Sequence, residues 1–525
     1  MKRIIGLLAL TVLLATPVFA AGSGEAATAA DGVPTLSYYR SPPAIIATLM
    51  DDWGESPMWQ EYQERVGINV EFVRIPQDAA QHLSLLIAAG DLPDMIEHRW
   101  GNYPGGAAQA IEDDVILRLN DVFDEYAPNM SRRIEEMHSV DPGNVYAMQT
   151  GEGDFFGFPM LRFDDETLVF VGPQLRADWL ENLELDVPET IDDWTRVLTA
   201  FRDEYGVAPL SGTGDVFDAR NVFGASAFAS AYEVVADDWH VVDGVIKHGY
   251  GQPELIDFLE LANRWFEEGL IDPEFVTNDR GVFENKVYNH NVGAFIGFTG
   301  SSMGAYLNTM ADRDPNFDLV GAKYPVLRRG DTPYYGQRSG MVVPRFSSIS
   351  TAASDVEAAA RFLDYAYSDE GHMLINFGIE GLSYEMVDGF PTYTDVIMDN
   401  PDGLSRAAAM GMYTGISGGG SAIQDGRYAM QYLLSLPQQA DAVQKWVQTN
   451  AADHLVVGLS PLPADADDYG AIWSEVQTHA EENILRFITG ARPLSQFPAY
   501  LDELNRMGFE TAREYMQASY EARMR

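Results

Sequence analysis

The sequence contains no cysteine, so a disulfide framework, a thiolate zinc site, an iron–sulfur cluster and a cysteine nucleophile are all excluded. Positive charge is scarce as well: 34 Lys+Arg stand against 79 Asp+Glu, and only 5 of the 34 are lysine. The resulting formal charge of −45 repels phosphate backbones and anionic membranes at long range, which argues against a nucleic-acid partner. Beyond the first 20 residues no run is long and apolar enough to span a bilayer, which takes about 20 apolar residues. Apolar and aromatic residues are plentiful, at 46% and 11%. At 525 residues the chain exceeds what one core usually serves, so two or more lobes are expected.

Residues 1–20 have the three zones of a secretory signal: Lys2 and Arg3, an apolar stretch over 4–14, and a small-residue exit at Val18, Phe19 and Ala20. Cleavage near Ala20 and a periplasmic destination are expected. Without cysteine, attachment through a lipidated N-terminal Cys is not, so the mature protein should diffuse freely. Residues 21–32 are small and polar and read as a flexible linker. An acidic, lysine-poor surface suits a saline habitat, where salt screens like-charge repulsion.

After the linker the hydrophobic period alternates. Residues 35–39 and 69–75 (NVEFVRI) read as strands, 56–65 as a helix and 94–96 as the start of another strand. Asp78 with Gln81, Thr190 with Asp193, and Ser354 with Glu357 are spaced as capping boxes. Behind the second of these, Trp194, Val197, Leu198 and Phe201 fall on one helical stripe. The C-terminal third is patterned almost wholly as helix, interrupted by a Gly-rich loop at 415–420. This rhythm predicts an α/β fold with helices covering a sheet.

Among chemical motifs, Gly300-Ser301-Ser302-Met303-Gly304 matches G-x-S-x-G between a predicted strand (292–298) and a helix-like segment, the context of a nucleophile elbow. No triad can be assigned from sequence: His372, His454 and His479 follow, but none stands out in a loop beside an acid. The nine histidines include no pair at zinc-helix spacing. Asp312, Asp314, Asn316 and Asp318 alternate like a calcium loop, yet Phe317 and Lys323 stand where glycine and glutamate are needed. No metal or cofactor is expected. Carboxylate pairs such as Asp164 and Asp165 carry little information in so acidic a chain.

The predicted strand ends are more informative. Tyr38, Tyr39 and Arg40 follow the first strand, His98, Arg99 and Trp100 the third, and Phe298 and Thr299 a later one. Sugar rings pack apolar faces on aromatics while their hydroxyls need polar partners, and ligands of open α/β sheets sit beyond the carboxyl ends of strands. As a set, these residues make a reasonable carbohydrate pocket.

Five segments, IAAGDLPDMI (87–96), LRADWLENLELDVPETIDDW (175–194), WFEEGLIDPEF (265–275), INFGIEGLSYEMVDG (375–389) and FITGARPL (487–494), taken in this order, resemble a family 1 extracellular solute-binding protein of an ABC importer, in the subgroup associated with oligosaccharide uptake. The resemblance implies a two-lobed periplasmic-binding-protein fold of type II, hinge-linked, with a helix-rich C-terminal part. It places strand crossings near 156–161 and 337–343, assigns 33–157 plus about 285–340 to one lobe, and gives 158–284 plus 341–525 to the other. The expected ligand-binding residues are Tyr39, Arg40, His98, Arg99, Trp100, Arg162, Phe298 and Tyr384, of which Tyr384 is carried by the GIEGLSYE segment of the resemblance. The calcium-binding insertion of some relatives is not matched, because Tyr205-Gly206-Val207-Ala208-Pro209 follows directly on the helix at 192–204. Capture of a small solute, expected to be an oligosaccharide, by a monomer that closes and then engages permease subunits is the implied activity, without catalysis. Two alternatives are a secreted esterase or glycoside hydrolase using Ser302 or a carboxylate pair, and a ligand-sensing receptor for a membrane kinase.

Overall fold

The computed structural model describes residues 32–75, 79–214, 221–236 and 238–524. The expected signal, most of the linker and Asp78 lie outside the described residues. Nine strands build two sheets: β1 (Thr35–Tyr39), β2 (Asn69–Phe72), β3 (Met95–His98), β4 (Phe158–Arg162), β5 (Val171–Arg176), β6 (Ala294–Phe298), β7 (Leu319–Gly321), β8 (Val342–Ile349) and β9 (Ala422–Gln424). The larger sheet runs β9-β4-β8-β3-β1-β2 and the smaller β6-β5-β7. In the larger sheet β8 is antiparallel to both neighbours, Phe346 lying opposite His98 and Val342 opposite Leu161, whereas the other pairs are parallel. The carboxyl ends of β1, β3, β4 and β9 and the amino end of β8 therefore share one edge.

The local rules read from sequence act where they were expected, with instructive shifts. In the helix Ile191–Tyr205 the Thr190 hydroxyl accepts from the Asp193 amide at 3.1 Å and the Asp193 carboxylate accepts from the Thr190 amide at 3.2 Å. Trp194, Val197, Leu198 and Phe201 are completely buried along one stripe, and Gly206, left-handed at φ 67°, ends the helix. The helix Val356–Tyr365 is capped one residue later than Ser354: Asp355 accepts from the Ala358 amide. Ser354 is drawn away because its amide and hydroxyl both donate to Asp94, at 2.7 and 2.8 Å. The C-terminal third holds more strand than its pattern suggests, namely β9 and a hairpin of Tyr384–Val387 with Phe390–Tyr393.

Two separate hydrophobic cores result. One gathers buried residues from 36–161 and 342–428, the other from 168–324 and 442–516. The chain passes between them at 163–170, at about 337–341, and again at about 429–437 through the π-helical turn Ala429–Leu433. The expected lobe partition is thereby corrected: residues 285–340 belong with 168–284, and residues 341–428 with 33–162. The physical reason lies in strand pairing. β6 and β7 hydrogen-bond to β5, while β8 inserts between β3 and β4. There is no passage near 284, where Phe283, Val287 and Val292 share one core. The helices Ala466–Ile488, Phe497–Met507 and Phe509–Arg523 complete the second lobe. No helix of the described residues is long and apolar enough to cross a membrane.

The first two passages are tied together. Ser339 donates to the Leu168 carbonyl at 3.0 Å and Arg162 to the Met341 carbonyl at 2.8 Å, and the Gln337 side-chain oxygen accepts from the Phe170 and Val171 amides at 2.8 and 3.2 Å. Elsewhere between the lobes, the Tyr146 hydroxyl donates to the Arg523 carbonyl.

Candidate ligand-binding site at the interlobe edge

Because β4 leads straight from the shared edge into the first passage, that edge faces the second lobe. On the second lobe the matching edge is the end of β6, since Phe298 lies opposite Val171, the first residue of β5. The structure brings Arg162 and Phe298 together through a residue that the strand-end reading missed. The Phe170 ring stacks on Phe298, with centroids 5.9 Å apart and planes 16° from parallel. The Arg162 guanidinium stands 5.7 Å from the Phe170 centroid. First lobe, hinge and second lobe thus meet in one Arg–Phe–Phe stack. Burial holds the Arg162 pKa below its ordinary value, and its Nε is buried without a hydrogen-bond partner.

Arg40 lies deeper in the same edge and serves the fold. It is 3% exposed, its guanidinium lies against Trp53 and Trp59 at 5.2 and 5.3 Å, and its Nη2 donates to the Gly415 and Gly419 carbonyls. Its Nε is 3.4 Å from the buried Glu97 carboxylate, which also receives Arg345 at 3.3 Å. The Gly-rich loop therefore has a packing role. At Gly420, φ 114°, an added Cβ would sit 2.3 Å from Arg40 Nη2 and 2.6 Å from Glu97 Oε2. Arg345 is another residue the sequence reading missed. The signal was available, since the amino end of an antiparallel strand shares its edge with the carboxyl ends of parallel neighbours.

The remaining expected residues divide. His98 is partly exposed, with its ring edge on Trp100 at 5.3 Å. Its pKa is held down by burial and by Arg345. Arg99 is exposed. Trp100 is 1% exposed and packs on Tyr103, so it supports the edge from within. Tyr39 is buried, donates to the Ala79 carbonyl at 2.7 Å and stacks on His82. Tyr384 is buried against Phe377 at the start of the hairpin and borders a depression with Arg65 and Glu370, away from the Arg–Phe–Phe stack. Neither Tyr39 nor Tyr384 joins the edge cluster.

The serine elbow does not assemble. Ser302 lies within a π-helical turn, 1% exposed, and its hydroxyl accepts from the Phe298 amide at 3.2 Å. Among the described residues no histidine reaches it. Beside the passages, a cavity of about 450 Å3 is bordered by Asp164, Glu166, His372, Asp425 and Arg427. Asp425 accepts from His372 at 2.7 Å and from Arg427 at 2.6 Å. These bonds hold its carboxyl well below the usual range although burial opposes them. Among the described residues no cluster of three or more His, Asp or Glu is arranged to hold a metal ion.

A family model described as bacterial extracellular solute-binding protein matches residues 47–373. Among curated proteins, lipoprotein LipO of Bacillus subtilis is 24% identical over 357 residues, covering 64% of this chain and 65% of LipO. The fructooligosaccharide ABC transporter substrate-binding protein FusA of Streptococcus pneumoniae is 24% identical over 350 residues, 63% of this chain and 61% of FusA. The chain thus spans under two thirds of these relatives' lengths. Of solved structures, an extracellular solute-binding protein from Bifidobacterium longum subsp. infantis superposes with a TM-score of 0.74 at 16% identity, covering 95% of this chain and all of that one. Alginate-binding protein AlgQ2 without calcium ion gives 0.66 at 20% identity over 93% and 98%. At these identities the superpositions speak for the fold.

Proposed function

The chain belongs to the bacterial extracellular solute-binding proteins, and from that premise we propose that it is the substrate-binding component of an ABC importer, capturing an oligosaccharide between its lobes. The observation that carries this reading is the Arg162–Phe170–Phe298 stack. It joins residues of both lobes and the hinge at the edge where open α/β sheets take ligands. An aromatic pair offers a platform for the apolar face of a sugar ring, and cations beside it suit hydroxyl or acidic substituents. FusA carries fructooligosaccharide in its description and AlgQ2 alginate, which supports a saccharide as the ligand class.

Function follows from the two cores. A ligand that touches both lobes stabilises the closed arrangement by its differential affinity, and the joined passages restrict the motion to a hinge. The closed form is then the state a permease recognises. The ligand leaves chemically unchanged, in keeping with a Ser302 hydroxyl engaged by backbone. The proposed setting is the periplasm, entered by way of the secretory signal. LipO is a lipoprotein. The absence of cysteine here supports a form that diffuses freely, acting as a monomer. A thermal-shift screen of neutral and acidic oligosaccharides, with mass spectrometry of the recovered ligand, tests the proposal. A ligand at 100 times its dissociation constant adds about 2.7 kcal/mol. A saccharide that stabilises the protein and returns intact is expected, whereas turnover of the bound sugar, or no response to any, would overturn it.

A further inference from the structure

From the contacts at the end of the last helix we propose that its final turn is a clasp that holds the angle between the lobes, in addition to the bonds that join the first two passages. The last carbonyls of a helix have no partner within it. In the helix Phe509–Arg523 one of them is satisfied from the other lobe. Tyr146, which ends the helix Pro142–Tyr146 beside the first-core residue Val145, donates its hydroxyl to the Arg523 carbonyl. The Arg523 guanidinium lies 5.7 Å from the Tyr146 ring centroid and donates to the Val457 carbonyl at 3.0 Å and to the Gly458 carbonyl. Ser519 adds a bond to the Ser460 carbonyl at 2.5 Å, so the loop at 457–460 is fastened to the helix. That loop touches both the first lobe and the second passage. A Cβ on Gly458, φ 62°, would lie 2.9 Å from the Ala147 Cβ, and one on Gly340 would lie 2.5 Å from the Val457 Cγ1; glycine permits both approaches. From the first lobe, the Asn144 side-chain oxygen accepts from the Met341 amide at 2.9 Å.

First lobe, second passage and second lobe therefore meet within a few residues. Beside this point the lobes are not packed flush. A cavity of about 290 Å3 lies there, bordered by Val140 and Asp141 on one side and by Val241, Leu455 and Tyr520 on the other. The interlobe angle at this place thus depends on a few directional bonds rather than on a broad packed interface. Hydrogen bonds tolerate little change in distance or direction, so rotation about the passages strains or breaks the Tyr146–Arg523 bond and shifts Gly458 against Ala147. The clasp weights one arrangement of the lobes over others, and with it the population from which ligand capture draws. Only that last consequence rests on the solute-binding reading; the clasp itself does not.

Interlobe distances measured by spin labels on the full chain, without ligand, test the proposal. The sequence has no native cysteine, so Glu64→Cys and Glu204→Cys, both exposed and on a helix of each lobe, carry the label pair. Tyr146→Phe removes only the hydroxyl that crosses between the lobes, and Arg523→Ala removes the guanidinium as well. Arg513→Ala, which breaks an exposed pair with Glu510 on the same helix, is the control. In Tyr146→Phe and in Arg523→Ala the fraction of distances outside the wild-type peak should rise at least about threefold, with first-lobe melting unchanged, whereas Arg513→Ala should match the wild type. An unchanged distribution in Tyr146→Phe overturns the proposal, even if Arg523→Ala broadens it, because the effect is then local to the second lobe. Equal broadening in Arg513→Ala overturns it too. Since no sugar is present, either result stands apart from whether a saccharide binds.

Discussion

Arg40 is the residue on which sequence and structure disagree most usefully, and Arg40→Met decides between them. Methionine keeps an apolar stem against Trp53 and Trp59 but removes the charge. Glu97, whose side chain is 2% exposed, would keep only Arg345 at 3.3 Å, and the Gly415 and Gly419 carbonyls would lose their donor. Removing one partner from a buried pair costs about 3–5 kcal/mol. Retention of Arg345 puts the expected loss near the lower end, at about 3 kcal/mol. Urea unfolding followed by tryptophan fluorescence reports it, because Trp53 and Trp59 lie beneath the guanidinium. If the lobes unfold in separate transitions, only that of the first lobe should move. The double variant Arg40→Met/Glu97→Met should recover part of the loss, both charges having left together. Stability within about 1 kcal/mol of wild type, combined with lost ligand affinity, would refute the reasoning and return Arg40 to the ligand.

Other consequences concern packing, the hinge and acid. Gly172→Ala places a methyl 2.4 Å from the Trp446 ring, which is fixed by its bond to the Ala322 carbonyl; overpacking should cost about 1–3 kcal/mol in the second lobe, read by calorimetry. Gln337→Ala frees the Phe170 and Val171 amides and should broaden the distribution of interlobe distances measured by spin labels, with little change in either lobe's melting. Asp94 is partly buried, which alone would raise its pKa, but donors from Ser354 and Ser37 hold it below the ordinary value. Its stabilisation is therefore present above the unfolded-state pKa of about 3.9 and lost as pH falls through the lower folded value. Asp94→Asn should cost about 1.5–3 kcal/mol at neutral pH and flatten the acid limb of the stability profile.

How much was legible beforehand depended on the range over which each signal acts. Thr190, Asp193 and the stripe Trp194–Val197–Leu198–Phe201 obey rules spanning a few residues, and the helix forms as read. Strand partners are set across hundreds of residues. Nothing local to 342–349 says that it inserts between β3 and β4, and the lobe partition went wrong there. The same non-locality hid the role of Arg40, whose partners Gly415 and Gly419 lie nearly 380 positions away along the chain. Phe298 was read from a strand end and Arg162 was among the expected site residues, but Phe170, which links them, lies in a passage with no periodic pattern. Tyr384 was carried over by resemblance, and it sits in the hairpin's packing against Phe377.

Small-angle scattering on the full chain, with and without a saturating oligosaccharide found by thermal shift, tests the two-lobed capture most directly. A smaller radius of gyration in the bound form, with the sugar recovered intact, is the result this account predicts. Unchanged dimensions at saturation would contradict it.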